Sequence, residues 1–430
     1  MFCRRAGLGG PPKAKRAPSG AARAGAASHT QWASVGASQP ACKKFTRLPW
    51  LLRAPCRYDH GMDSALSQIT ARVRAAIADR TPLRLRGGGS KDFHARALSG
   101  EIVDTRALQG VVSYEPSELV VTARAGTSLA ELQALLAASG QCLPFDPPHF
   151  AGGATVGGMV AAGLSGPARA SVGAVRDYML GVEILNGRAE LLRFGGQVMK
   201  NVAGYDVSRL MAGSWGTLGL ITEVSLKVLP QAPGEATLRF ECTQAQALQW
   251  LNTWGGQPLP LNASCWLEDA GTGTLFVRLR GAKAAVQSAC LTLGGERQDS
   301  AQVAADWDAC RDHRLPWFND RLAQPDLALW RLSVPAQAPV LALPEGARGP
   351  LIEWHGALRW VQAPRALGPA LQALATQVGG TAQMFQAGND AAGLAAQAAP
   401  SPALAALQAR LQQAFDPAGI FHPGRLLPLA

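Results

Sequence analysis

Three glycine-rich runs between Pro147 and Pro230 limit the folds open to this chain more than any other feature. They are Gly152–Gly166, Gly173–Asp177 and Gly213–Ile221. Glycine lets a backbone approach a ligand closely and adopt positive φ without a Cβ penalty, and successive free N–H groups form concave anion sites. Apolar residues between the glycines indicate loops that lie against a core. These runs therefore predict a loop-built cradle for a large, anionic and partly flat ligand, such as a dinucleotide.

A fourth glycine run follows a short extended segment nearer the start of the chain. Leu83–Arg86 alternates like a strand and leads into Gly87-Gly88-Gly89-Ser90. Free N–H groups and a nearby hydroxyl suit a phosphate. A plain flexible turn is the alternative interpretation of this run alone.

The net charge of +11 at first favours nucleic-acid binding, but its distribution does not. Residues 1–61 carry eleven Lys or Arg and one acidic residue, whereas the remaining 369 residues carry 30 basic and 29 acidic groups. We therefore predict no nucleic-acid role. Residues 1–61 are interpreted as a basic low-complexity extension, either a transit peptide or, as we favour, a translated region upstream of a start at Met62.

The eight cysteines are scattered, and none forms a C-x-x-C pair, so we predict reduced cytosolic thiols and no metal or iron–sulfur site. The uncharged, glycine-rich run Phe150–Ala168 contains six glycines and Pro167. That composition argues against a membrane-spanning helix.

Periodicity predicts a mixed order of helices and strands. A helix is expected from Met62 to about Asp79, and Ser128 with Glu131 forms a capping box for a second helix. Asn186-Gly187 predicts a two-residue hairpin turn. The remaining predicted strands are 110–114, 118–123, 179–185, 189–194, 218–229, 237–240, 274–279, 329–334 and 351–361, and the remaining predicted helices are 129–138, 244–254, 283–293, 366–378 and 404–415.

The ordered motifs resemble the FAD-binding domain of the vanillyl-alcohol oxidase and D-lactate dehydrogenase superfamily. They are Arg86-Gly87-Gly88-Gly89-Ser90, Ala154-Thr155-Val156-Gly157-Gly158, Gly173-x-x-Arg176-Asp177, Gly216-Thr217-Leu218-Gly219-x-Ile221 and a C-terminal Phe-Asp-Pro-x-Gly-Ile-x-x-Pro-Gly. The segment Lys200–Asp206 is similar to the E-type FAD subunits of bacterial glycolate oxidases.

This resemblance implies an α+β fold with a two-part PCMH-type FAD-binding domain at 62–232. A smaller mixed α+β cap or substrate domain would occupy 233–430, and its C-terminal FDPxGIxxPGR segment would return to the FAD domain. The resemblance also implies the residues that bind the cofactor: Arg86, Gly87, Gly88, Gly89 and Ser90 at the pyrophosphate, Ala154, Thr155, Gly157, Gly158, Gly163 and Gly166 along the ribityl chain and flavin, Arg169, Gly173, Arg176 and Asp177 as braces, and Pro147, Gly216, Gly219 and Ile221 as further contacts.

Several positions depart from the superfamily pattern. Members with covalent flavin carry His where this chain has Ser90, so we expect non-covalent FAD, although His94 lies four residues on. Gly163 and Trp215 stand at positions where dehydrogenase relatives often carry Asn and Glu. Catalytic relatives carry clustered histidines and a Glu-His-Gly segment, whereas the later histidines here are isolated: His313, His355 and His422. The catalytic residue therefore stays undefined, and no metal ligand set is predicted.

The resemblance implies a cytoplasmic FAD-dependent oxidoreductase subunit that oxidises a small 2-hydroxy acid, glycolate, to glyoxylate. Its expected partners are a second FAD-containing glycolate oxidase subunit and an iron–sulfur subunit, with peripheral membrane association through them left open. The first alternative is a stand-alone 2-hydroxy-acid dehydrogenase of the D-lactate type, for which Arg331, Arg359 and His355 are candidates for substrate contact. The other is a scaffold without FAD, against which the intact glycine motifs argue.

Overall fold

A computed structural model of the protein describes residues 60–94, 99–150, 152–196, 206–324, 326–387 and 401–422. The interpretations of residues 1–59, of Lys200–Tyr205 and of Pro423–Arg425 lie outside these described residues.

The first helices and strands surround the glycine-rich runs. In chain order they are α1 His60–Asp79, β1 Leu83–Arg86, β2 Glu101–Asp104, β3 Val111–Glu115, β4 Val120–Arg124, α2 Leu129–Ala138, β5 Gln141–Cys142, α3 Val156–Ala162, α4 Arg169–Val172, α5 Val175–Tyr178, β6 Met179–Leu185, β7 Leu191–Gly195, α6 Val207–Met211, β8 Leu220–Lys227 and β9 Leu229–Pro230. The predicted helix from Met62 is confirmed, because Ile69, Val73 and Ala76 form its buried stripe.

Antiparallel strands in the order β3-β4-β8-β6-β7 form a sheet of five strands within the described residues. Its core includes buried side chains of α2 and α3, and the Ser128 hydroxyl caps α2 by accepting the Glu131 N–H at 3.5 Å. The β6–β7 hairpin is confirmed, but its predicted two-residue turn is wrong. Leu185 pairs with Leu191, so five residues connect the strands, and the Asn186 side chain accepts the N–H groups of Arg188 and Glu190.

The later elements build a larger sheet and its covering helices. They are β10 Gly234–Glu241, α7 Gln244–Gly255, β11 Leu261–Asp269, β12 Thr272–Gly281, α8 Lys283–Leu293, β13 Glu296–Arg297, α9 Ser300–Arg311, α10 Pro316–Asn319, β14 Leu327–Ser333, β15 Arg348–Glu353, β16 Leu358–Pro364, α11 Gly368–Gln377, β17 Thr381–Gln386 and α12 Pro402–Phe415. The described strands pair in the order β13-β10-β12-β11-β15-β16-β14-β17.

Two differences from the sequence expectations occur in this larger sheet. The run 351–361 is not one strand: β15 and β16 pair antiparallel across a tight turn in which Trp354 and His355 have φ of 52° and 55°. Strand β11 and helix α9 were not predicted. Six consecutive residues of the nine in β11 are buried, so this strand lacks the alternation of buried and exposed residues. Helix α9 exposes much of its polar surface.

The two faces of the larger sheet are covered differently. Helices α7, α8 and α11 cover one face. The other face packs against α9, α10 and loop residues from the glycine-rich part, including Phe150 and Leu164. The sheet is tied to that loop region by ion pairing between Asp146 and buried Arg278.

The C-terminal segment lies beside β1. The Leu83 N–H donates to the Ile420 carbonyl at 2.7 Å, the His422 N–H donates to the Leu83 carbonyl at 3.0 Å, and Phe421 is fully buried. This contact holds β1, and with it the glycine run that follows, against α1 and β2.

The mixed α+β fold class is confirmed. The division at residue 232 stays a prediction. Among the described residues, no helix combines the length and apolar character needed to cross a membrane.

Candidate functional site

A cleft opens where the end of β1, helix α3 and the loop before β8 meet. It contains about 770 Å³ of space that no protein atom fills, its open mouth included. We call this space the glycine cleft.

Three of the separated glycine motifs converge on the glycine cleft. The predicted residues that line it are Arg86, Gly87, Gly88, Gly89, Ser90, Thr155, Gly157, Gly158, Gly216, Gly219 and Ile221. Their separation in the sequence and their contact in space are the pattern expected of a loop-built cradle.

The other predicted residues do not line this cleft, and their role in binding stays a prediction. Pro147 and Ala154 are buried loop residues. Gly163, at φ 64°, ends α3, and the N–H of Ala174 donates to the carboxylate of exposed Asp177 at 2.9 Å beside Gly173. Exposed Arg176 also lies away from the cleft. Gly166 lines a second cavity described below, and Arg169 contacts Trp354, which also lines that cavity.

Gly88 lies where two loops come into direct contact. A Cβ at this position would be 1.4 Å from the carbonyl oxygen of Gly153, so only glycine fits. The sequence interpretation attributed this glycine to the approach of a phosphate. The structure gives a different cause, which is the close packing of the Gly87–Gly89 loop on the loop that leads into α3.

The glycine cleft carries an excess of positive charge near the Gly87–Ser90 run. Arg84 and Arg86 share a single carboxylate, Asp92, at 2.7 and 2.8 Å. Lys91 also lines the cleft, and its ammonium group donates to the Ser90 hydroxyl at 3.1 Å. Burial lowers the pKa of Lys91 to about 8, against the opposing effect of the Asp312 carboxylate. Two fixed cations and one titrating cation face one carboxylate, which suits a diphosphate.

Sequence reasoning missed several residues of this cleft. Arg84 and Arg86 alternate along β1 and therefore share a face, which was a usable signal for a paired cationic wall. Trp215 and His422 also line the cleft, and the Trp215 ring stacks on His94 with 4.3 Å between centroids. Tertiary contact brings His422 from the far end of the chain, where its Nε2 accepts the Leu85 N–H at 2.9 Å.

The residues present fit a dinucleotide cofactor. Glycine backbone forms much of the wall, and beside Gly158 an added Cβ would meet only the Thr155 hydroxyl, at 3.0 Å. Cations are concentrated at the Gly87–Lys91 loop, whereas Ala125, Ala161 and Leu220 line other parts of the cleft. One polar, cationic region and one apolar region match a ligand with a diphosphate and a flat ring.

A second cavity of about 340 Å³ lies against the larger sheet. Its wall includes Phe150 and Gly166 from the glycine-rich loops and Arg331, Glu353 and Trp354 from the sheet region. Phe150 connects the two spaces, because its ring lies 5.6 Å from the Lys91 ammonium group of the glycine cleft. We call this space the inner cavity.

Two charged side chains of the larger sheet, Arg331 and Glu353, line the inner cavity together with Arg311 of α9. Glu353 accepts the Trp360 indole N–H at 2.6 Å and the Cys310 thiol at 3.4 Å. Burial raises the pKa of Glu353 to about 7, although those hydrogen bonds and Arg331 oppose the shift. Burial and the nearby Arg169 lower the pKa of Arg331 to about 10, which leaves it a cation at neutral pH.

The other candidates for substrate contact have structural partners. Arg359 donates to the carbonyls of Ala338, Pro339 and Gly356 on the opposite face of the sheet. His355 lies between the hydroxyls of Ser264 and Ser171, at 3.0 and 2.9 Å, and burial lowers its pKa to about 4.

His313 lines the inner cavity but is a poor proton carrier. It stacks on Phe318 with 4.3 Å between centroids, and burial lowers its pKa to about 3, so the ring is neutral. Within the described part of the chain, no three side chains of His, Cys, Asp or Glu come together as a metal site. The described cysteines are free thiols: Cys142, Cys242, Cys265, Cys290 and Cys310.

Comparison with known proteins places these features in context. The sequence profile of the family described as FAD binding domain matches residues 65–195. That range includes the Arg86–Ser90 and Thr155–Gly158 parts of the cleft, whereas Gly216–Ile221 follows it.

The chain is similar to the glycolate oxidase subunit GlcE of Escherichia coli K12, with 44% identity over 82% of this chain and 95% of that protein. It is also 33% identical to a D-lactate dehydrogenase of Archaeoglobus fulgidus, over 38% of this chain and 37% of the dehydrogenase. A solved structure of alkyldihydroxyacetonephosphate synthase has the same fold, with a TM-score of 0.59 and 15% identity over 83% of this chain and 75% of that one.

Proposed function

The chain belongs to the family of FAD-binding subunits that includes the glycolate oxidase subunit GlcE, and from that premise we propose that it is the FAD-binding subunit of a glycolate oxidase complex. The substrate would be glycolate, the product glyoxylate, and an iron–sulfur subunit would receive the electrons. A second flavin subunit would complete the complex. The complex would lie in the cytoplasm, or its partner subunits would hold it at the inner face of the cytoplasmic membrane.

The observation that carries this proposal is the convergence of separated glycine motifs on one cationic cleft. Arg84, Arg86 and the backbone of Gly87–Gly89 would hold the diphosphate of FAD. The backbone at Gly157, Gly158 and Gly216 would lie against the rest of the cofactor. When bound, FAD supplies a two-electron acceptor.

The chain's own residues would position the cofactor and exclude water from it. Asp92 orients both arginines, and Lys91 adds a positive charge that depends on pH. Phe93, Phe150 and Phe385 form an apolar cluster beside the cleft, with Phe93–Phe150 centroids 5.0 Å apart. Such a cluster keeps solvent from the side of the site that faces the larger sheet.

Anaerobic titration of the flavin with glycolate tests whether the chain needs its partner subunits. We expect the FAD-loaded chain alone to bleach slowly or not at all with glycolate, and to bleach when it is co-purified with its partner subunits. Full bleaching by glycolate or D-lactate without partners would support the stand-alone dehydrogenase instead. No flavin in either preparation would contradict both functions.

Non-covalent attachment of the flavin is a second part of the proposal. Ser90 occupies the loop position at which the covalent members of the superfamily carry His, and the His422 ring nitrogen Nε2 already accepts the Leu85 N–H. Acid precipitation should therefore release all of the FAD into the supernatant. Flavin that stays with the precipitated protein would overturn this part.

A further inference from the structure

The C-terminal segment pairs with β1 as a short parallel strand. Leu83 and Phe421 form a parallel bridge, with hydrogen bonds from the Leu83 N–H to the Ile420 carbonyl and from the His422 N–H to the Leu83 carbonyl. The backbone groups of every second residue face the same side of a strand, so the N–H and C=O of Leu85 face this segment as well. In a regular parallel ladder the Leu85 N–H would donate next to the His422 carbonyl.

The imidazole of His422 takes the place of that carbonyl. His422 has φ 43°, in the left-handed region, so the chain leaves the strand direction at this residue. Its ring atom Nε2 lies 2.9 Å from the Leu85 nitrogen and 3.1 Å from the Leu85 carbonyl oxygen. One ring nitrogen therefore faces both backbone groups of Leu85, and the protonation state of that nitrogen decides which of the two it can bond.

A neutral and a charged imidazole cannot make the same contact with Leu85. When a neutral ring carries its proton on Nδ1, Nε2 is an acceptor and satisfies the Leu85 N–H. When the ring is charged, both of its nitrogens are donors. Nε2 then donates to the Leu85 carbonyl, and the Leu85 N–H faces a second donor. Because His422 is only 6% exposed, water does not readily replace the lost acceptor, and its loss is destabilising.

The same ring also contacts the wall of the glycine cleft. His422, Leu85 and Gly216 all line the cleft, and a Cβ at Gly216 would lie 3.1 Å from the Cδ2 atom of His422. Arg86, one of the two arginines of the cationic wall, directly follows Leu85 in the chain. The imidazole therefore connects three parts of the cleft, which are the C-terminal segment, the end of β1 and the loop before β8.

We propose that His422 is a positioning residue of the FAD site, whose neutral imidazole, with its proton on Nδ1, fixes the end of β1 and the glycine run after it against Gly216. Protonation of the ring breaks this contact and weakens FAD binding. The inference rests on the proposed function and deepens it, because it makes FAD retention at acidic pH depend on the C-terminal segment.

Several charged or titratable groups lie around this contact. Those on the cleft wall and behind it are Arg84, Arg86, Lys91, Asp92 and His94, the C-terminal segment contributes Asp416, and α1 and β2 contribute Arg72 and Glu101. The loop before β8, residues 213–219, contains no charged or titratable side chain. A comparison of the wild type with variants at position 422 alone separates the His422 ring from these groups.

Fluorescence quenching of FAD by the flavin-free full chain measures the affinity at pH 7.5 and 5.5, and circular dichroism checks that each variant is folded. His422→Gln keeps an acceptor but does not titrate, so at pH 7.5 it should bind FAD within about threefold of the wild type. His422→Leu has no acceptor and should bind about tenfold more weakly. Between pH 7.5 and 5.5 the wild type should lose about tenfold in affinity relative to His422→Gln.

The matched control is His149→Gln, which removes a histidine whose ring contacts Gln133 outside the glycine cleft. It should keep the acid dependence of the wild type. An independent readout is the tautomer of the ring, measured by NMR of protein labelled with ¹⁵N-histidine. The histidine signal that His422→Gln removes should belong to an Nδ1–H tautomer at pH 7.5. An Nε2–H tautomer there would overturn the inference, because that form donates to the Leu85 carbonyl instead.

The outcomes separate this inference from the proposed function. A wild-type affinity that falls no more than that of His422→Gln overturns the inference and leaves the FAD subunit proposal intact. So does an affinity that rises at pH 5.5 relative to His422→Gln, because a charged ring would then act by attracting the diphosphate. If His422→Leu fails to fold, the comparison of the wild type with His422→Gln still decides. Protein that binds no FAD at either pH refutes the proposed function, and the inference with it.

Discussion

A single residue of the glycine cleft affects the site either by its small size or by the charge of its side chain. Gly88 and Lys91 are the clearest examples of each. The first has no room for a side chain, because the Gly153 carbonyl occupies that position. The second places a cation whose charge depends on pH at the cofactor site.

Gly88→Ala should lose FAD, because the added methyl group forces apart the two loops that carry the cleft wall. We expect stability to fall by about 1–3 kcal/mol as well, which is typical of overpacking. Flavin absorbance per polypeptide and urea unfolding measure both effects. Gly152→Ala is the matched control, since no atom lies within 4 Å of its Cβ position. Equal flavin content in both variants would contradict the loop contact.

Affinity for FAD should fall as the pH rises from 7 to 9. Burial lowers the pKa of Lys91 to about 8, so the ammonium group is charged below that pH and neutral above it. The nearby Asp312 carboxylate and the His149 ring, with a lowered pKa, are the other groups that interact with it electrostatically. Loss of one charged contact predicts a change of about tenfold.

Fluorescence quenching of FAD on titration with flavin-free protein measures this pH dependence. Lys91→Met should bind more weakly at pH 7 and show a flat profile to pH 9. An identical slope in the variant and the wild type would assign the titration to another group.

Elements with a local signal could be predicted from the sequence, and those set by tertiary contact could not. The buried stripe of α1 and the Ser128 cap of α2 are local, so both helices follow from the pattern. The β6–β7 turn is different. A Cβ at Gly187 would be 2.3 Å from the Asp416 side chain, so contact with a distant segment shapes this turn.

The glycine cleft follows the same division. The glycine motifs that line it could be predicted from the sequence, because glycine spacing is a local property of the chain. The inner cavity could not be predicted, because Arg331, Glu353 and Gly166 meet only through strand pairing and loop packing. No spacing in the sequence brings those positions together.

The C-terminal segment supports β1 and therefore the first glycine run. Phe421→Ala should destabilise the protein by about 3–5 kcal/mol, because a fully buried ring beside Leu83 is lost. FAD affinity should fall with it. Leu407→Ala, at a half-exposed position of the adjacent α12, is the control and should change little. Urea midpoints compare the two, and similar midpoints would mean that this contact does not stabilise β1.

At the scale of the whole molecule, Asp146 and Arg278 connect the glycine-rich loops to the larger sheet. Arg278 is 4% exposed and also donates to the Asn262 side chain at 2.7 Å. Asp146→Ala should cost about 3–5 kcal/mol, because it leaves a buried cation unpaired. Asp146→Ala with Arg278→Met should recover part of the loss. Urea unfolding measures the free energy of unfolding of both variants. An Asp146→Ala variant as stable as the wild type would show that the ion pair does not stabilise the protein.

The central claim is that separated glycine motifs form one site for one flavin nucleotide. The most direct test is the absorbance spectrum of the purified chain, with chromatographic identification of the released flavin. We predict a flavin spectrum, FAD as the released species, and one FAD per polypeptide. A colourless protein that takes up no FAD on reconstitution, or one that holds only the mononucleotide, would contradict the account.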